Sequence, residues 1–217
     1  MMNLPFTIEE FLQIFWDYNH AIWPMQIAGY ALGIAALFFV YRRRRFSGRI
    51  VFFILSFYWL WMGIVYHLIF FSRINKAAYL FGGLFIVQGA LFLLMGLLRP
   101  QISFLFRPNL YGLTGIIFVI YAMTIYPVLG YFLGHGYPQS PGFGVAPCPT
   151  TIFTFGLLLM TQQRFPKYIL IIPFAWSIMG FFAALSLGIP EDIGLLVAGV
   201  LGTFLIFYRD GKRISKE

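Results

Sequence analysis

Of 217 residues, 60% are apolar, 21% aromatic and only 10% charged, with a mean hydropathy of +0.83 and a net charge of +8. So few charged side chains cannot cover the surface of a soluble domain this size, and the apolar runs are continuous rather than alternating, which argues against a membrane β-barrel. What remains is an all-α, polytopic membrane helical bundle, a single membrane domain over residues 1–217, whose basic excess records orientation in the lipid bilayer rather than nucleic-acid binding.

Thr7 and Glu10 have the spacing of a capping box, and Ile8, Phe11, Leu12 and Phe15 follow at i, i+3, i+4 and i+7. Residues 7–20 are therefore predicted as a short amphipathic helix at the outer interface. It delivers Asp17, Asn19 and His20 to the mouth of the bundle. The stretch Met1 to Glu10 lacks the basic residues of a signal peptide.

A helix needs about 20 apolar residues to cross a bilayer. Seven transmembrane helices are predicted, over residues 24–41, 50–71, 77–98, 110–132, 149–162, 168–187 and 190–208. Thirteen of the 15 basic residues then fall on one side: the Arg42–Arg45 run and Arg49, Arg99 and Arg107, Arg164 and Lys167, and the tail Arg209, Lys212, Arg213 and Lys216. Arg73 and Lys76 fall on the other. The positive-inside rule puts the larger set in the cytoplasm, so the N-terminus is expected outside and the C-terminus inside. No lysine lies within a span, which excludes a retinal Schiff base despite the matching topology.

The chemistry-bearing residues concentrate on the outer side. His67 lies within the second span, one turn after Gly63; His20 and His135 flank other spans. Histidine carries protons and binds metals, and an ionisable group within a span is a functional candidate; an interhelical hydrogen bond is the plainer role. No HxxxH, HExxH or CxxC pattern is present, so no metal site is assigned and any cofactor stays unknown.

The segment from Gly134 to Pro149 is rich in Gly and Pro and carries no charge apart from His135. The span after it has only 14 residues, about 21 Å at 1.5 Å per residue, against a core of about 30 Å. The loop is therefore expected to dip into the outer leaflet, and short, Gly/Pro-interrupted spans point to binding sites in transporters; a tightly packed lid is the alternative. Cys148, Thr150 and Thr151 open the helix that follows. With His67, His135, Gln26, Tyr66 and Trp59 they form the expected ligand-binding set around one outward-facing cavity. Glu191 and Asp192 read as acids capping the seventh span.

Tyr66-His67, Ile74-Asn75-Lys76-Ala77-Ala78 and Gly144-Val145-Ala146-Pro147-Cys148-Pro149-Thr150-Thr151 together resemble an uncharacterised family of bacterial integral membrane proteins that carries a domain-of-unknown-function label. The resemblance covers most of the chain and implies a multi-pass protein of the bacterial inner membrane. The serine and paired-histidine motifs of alkaline-ceramidase-like hydrolases are missing. Three functions stay open: binding or transport of a small molecule or ion in the outward-facing pocket; a membrane-embedded metal-, haem- or thiol-dependent enzyme using His67, His135 and Cys148; and a subunit of a larger membrane complex.

Overall fold

The structure is a computed structural model in which residues 5–42 and 46–214 are described; Arg43, Arg44 and Arg45 of the arginine run, and Lys216, lie outside the described residues. These fold into helices without a β-strand, with one isolated bridge between Phe104 and Thr161. We label the helices α1 (Ile8–Ala21), α2 (Met25–Tyr41), α3 (Ser47–Arg73), α4 (Ala78–Leu98), α5 (Leu110–Phe132), α6 (Pro147–Leu159), α7 (Lys167–Leu187) and α8 (Pro190–Lys212).

The predicted capping box opens α1: Glu10 N donates to Thr7 Oγ1 at 3.3 Å, and Thr7 N donates to the Glu10 carboxylate at 2.8 Å. The α1 axis turns by 83° into α2. Its apolar face covers the C-terminal end of α3, with Phe15 stacked on Tyr66 and Tyr18 edge-on to Phe70.

Five helices, α3, α4, α5, α7 and α8, are long and apolar enough to cross a membrane, and the bent α1–α2 pair makes a sixth candidate. Each of the seven predicted spans coincides with a helix, yet the fifth is not of spanning length. Predicted over 149–162, it runs Pro147–Leu159, 13 residues, or about 20 Å. Every residue of α6 except Cys148 is buried.

The reason is a ring of helices. Tyr58 of α3 donates to Gly29 O of α2 at 2.6 Å, Ser56 to Gly89 O of α4 at 2.8 Å, and Gln88 of α4 to Ile169 O of α7 at 3.1 Å. Gly180 of α7 packs on Leu195 of α8, Tyr121 of α5 donates to Glu191 O of α8 at 2.6 Å, and Tyr30 of α2 donates to Met123 O of α5 at 2.9 Å. The ring closes, and α6 fills it, packing chiefly on α5, α8, α7 and α3.

Two spans carry π-helical turns, Met62–Phe70 in α3 and Tyr121–Ile125 in α5. The second has a local cause: Pro127 has no N–H, so Met123 O loses its helical donor, and the Tyr30 hydroxyl supplies one.

At the end of the bundle where Arg209 lies, its guanidinium is buried and Nη1 donates to the carbonyls of Leu158, Leu159 and Thr161 at 3.2, 2.9 and 3.2 Å. Leu159 O, at the end of α6, takes its donor here, while Leu158 O also accepts from Thr161 Oγ1 at 2.9 Å. Asp210 holds Arg209 Nε at 2.9 Å and also pairs with Lys167.

Candidate functional site

The 133–146 connection folds into the bundle. Asn19 of α1 donates to Pro138 O at 2.6 Å and Ser140 O at 3.0 Å, and Tyr18 donates to Val145 O at 2.6 Å. Phe143 inserts among Tyr30, Tyr58 and Phe153. Gly144 adopts φ +77, a region open to glycine, and its Cα side presses on Gly29 of α2. Its N–H donates to Thr150 Oγ1 at 3.0 Å.

Beside this lid lies a cavity of about 360 Å³. Phe6, Phe11 and Phe15 form one wall, Tyr66, Phe71 and Phe81 a second, and Trp176, Met179 and Ala183 a third. Pro147 and Cys148, at the start of α6, and Asp192 of α8 contribute the remaining surface. The lining is thus mostly aromatic, with Asp192 its one ionised-type side chain besides the thiol.

Asp192 is 4% exposed, and Tyr126 donates to its Oδ1 at 2.7 Å. Glu191, 1% exposed, lies next to it. His135 Nδ1 is 3.2 Å from Glu191 Oε1, but out of line for a hydrogen bond, so both Glu191 carboxylate oxygens lack an aligned donor. Among the described residues neither acid pairs with a lysine or arginine.

His67 stands behind the wall, in the π-helical stretch of α3. Its ring packs on Phe85 and Trp176, with centroids 4.6 and 5.2 Å away, and Tyr66, Phe71 and Phe81 complete an aromatic cage. Neither ring nitrogen has a hydrogen-bond partner. π-Helical turns recur at functional sites. Four of the five cage residues also line the cavity.

Of the residues expected around one cavity, Tyr66 and Cys148 line it; His67 does not, standing behind cage residues that do, and His135 does not, lying against Glu191. The other four stand elsewhere. Gln26 Nε2 donates to Asn19 O at 2.8 Å and Asn19 Oδ1 at 3.2 Å, bracing the helix turn under the lid. Trp59 donates to Thr154 Oγ1 at 3.1 Å inside the ring. Thr150 holds Gly144, and Thr151 is buried with its hydroxyl unpartnered. Gln26, Trp59 and Thr150 are thus claimed by Asn19 of α1, Thr154 of α6 and Gly144 of the lid, partners that spacing alone did not show. In the other direction, Asp192, read as a cap, and Trp176, not singled out, line the cavity. The signal was the consecutive Glu191-Asp192 pair before an apolar helix, which also fits a plain cap. Among the described residues no group of three or more His, Cys, Asp or Glu side chains is placed to hold a metal ion.

No curated protein and no solved structure gives a significant match. The model of one protein family, described as a family of unknown function (DUF6064), matches residues 8–215. That match runs from the first residue of α1 to beyond the end of α8, with the lid and all of the cavity lining except Pro5 and Phe6, and the chain belongs to this family.

Proposed function

We propose that the protein is a seven-pass component of the bacterial inner membrane, N-terminus outside and C-terminus in the cytoplasm, that binds a small, largely apolar molecule in an outward-facing pocket. α6 counts as the fifth pass, a short one that reaches the bilayer core only inside the helical ring. The orientation draws support from the bunching of basic residues: Arg49, Arg107, Arg164, Lys167 and Arg209 belong to the helix ends and connections at the Leu159 end of α6, and Arg73 and Lys76 to the opposite end. A reporter active only in the cytoplasm is expected to be active after Lys216 and silent after Asn3; the reverse pattern would invert the assignment of sides.

The observation that carries the binding reading is the aromatic cavity itself, which at about 360 Å³ stands at the small end of the roughly 300–1,000 Å³ typical of ligand pockets. The enzyme reading draws less support. The nitrogens of His67 face aromatic rings, and His135 is set against Glu191 rather than beside Cys148.

Cys148 is the sole cysteine and lines the cavity, so its labelling reports on the pocket. A small permeant maleimide is expected to label it slowly and a bulky charged one added outside hardly at all. A bound apolar molecule should slow the permeant reagent further. Equal, fast labelling by both reagents would mean an open loop and no pocket.

A further inference from the structure

Resting on that pocket reading, we infer that the ligand is a single-chain amphiphile whose head is a protonated amine, seated with its ammonium at Asp192 and its alkyl chain among the aromatic walls. The walls are rings and thioether from α1, α3, α4 and α7. Asp192 gives the cavity a carboxylate at one place only, next to Cys148. A buried carboxylate is costly without a compensating charge, and the donors that meet Asp192, the Tyr126 hydroxyl at 2.7 Å and the Cys148 thiol, are neutral. Behind it Glu191 is buried with His135 Nδ1 3.2 Å from Oε1, and neither carboxylate oxygen is in an aligned hydrogen bond. That second acid deepens the negative potential, and no lysine or arginine among the described residues pairs with either. A cation that arrives with the ligand supplies the missing charge, and its N–H groups make charge-assisted hydrogen bonds to the carboxylate.

The size of the cavity selects the tail. A volume of about 360 Å³ suits one alkyl chain and not a two-chain lipid. A primary ammonium also heads aminophospholipids, so the two sources of the same head group need separating.

The test uses the full-length protein in phosphatidylcholine nanodiscs, with bound mass read by native mass spectrometry. Dodecylamine, dodecanol and dodecanoic acid share a tail and differ in the head; dioleoylphosphatidylethanolamine offers the ammonium on two chains. Dodecylamine is expected to bind at least about tenfold more tightly than dodecanol, the scale of one charge-assisted hydrogen bond. Dodecanoic acid is expected to bind least, and the two-chain lipid not to displace the amine. Asp192→Asn should remove the preference for amine over alcohol and leave dodecanol binding in place. Ala183→Trp, which fills the cavity, should abolish binding of all three.

Equal binding of amine and alcohol by the unaltered protein would overturn the head-group assignment and leave the pocket standing. That comparison needs no variant, so a misfolded Asp192→Asn protein does not protect the inference. Displacement by the two-chain lipid would overturn the single-chain assignment. Failure of all the single-chain probes to bind would end the pocket reading itself.

Discussion

Replacing Arg209 with leucine is expected to destabilise the protein by about 3–5 kcal/mol, the scale of breaking a buried charge pair from one side. The guanidinium is 3% exposed and donates to three carbonyls at the end of α6 while holding Asp210. Leucine fills part of the volume and supplies no donor, so Leu159 O loses its Arg209 bond, and Asp210 loses Arg209 Nε while keeping Lys167. Each buried carbonyl left unpaired costs about 1–3 kcal/mol. Arg209→Lys should recover only part of the loss, because an ammonium cannot span carbonyls and carboxylate as a planar fork does. Thermal unfolding of the detergent-solubilised protein, followed by the monodisperse fraction, measures this. A loss below about 1 kcal/mol, within the range of ordinary surface substitutions and small defects, would show that α6 does not depend on this cap.

Gly156→Leu is expected to prevent accumulation of folded protein. Where α5 crosses α6, a Cβ on Gly156 would lie 2.7 Å from Gly115 O, and a Cβ on Gly115 would lie 2.7 Å from Gly156 O. Both obstacles are backbone, so no side-chain rotation relieves them, and the two helices must separate. Small residues at such crossings let membrane helices approach closely enough for dispersion contacts. Gly115→Ala, which adds a single methyl, should cost about 1–3 kcal/mol, the usual range for overpacking. Gly83→Ala serves as the control. A methyl there meets nothing within 4 Å, and alanine is the better helix former. If Gly156→Leu accumulates as well as Gly83→Ala, the central position of α6 is wrong.

The places where the two levels agree and differ have a common cause. The capping box at Thr7 and Glu10 was legible because it is local: two side chains and two N–H groups within four residues. Helix positions were legible because continuous apolar runs have few other uses. The shortness of the fifth segment was legible from its residue count, 14 expected and 13 found; the role of Gln26 was not, because it looks like any polar residue near a helix start until Asn19 is placed beside it.

Composition, hydropathy and the distribution of lysine and arginine were enough to determine a helical, membrane-embedded chain and the order of its helices. Which helix sits in the centre was decided only by the tertiary structure. Lipid tails are as apolar as leucine, so a helix facing lipid and a helix facing protein on all sides read alike, and nothing in Pro147–Leu159 beyond its length marked it as the core of the ring. The same holds for the cavity. Asp192 at the start of an apolar helix is compatible with a solvated cap, and only the packing of α1, α7 and the lid around it turns that cap into a buried carboxylate on the wall of an aromatic pocket.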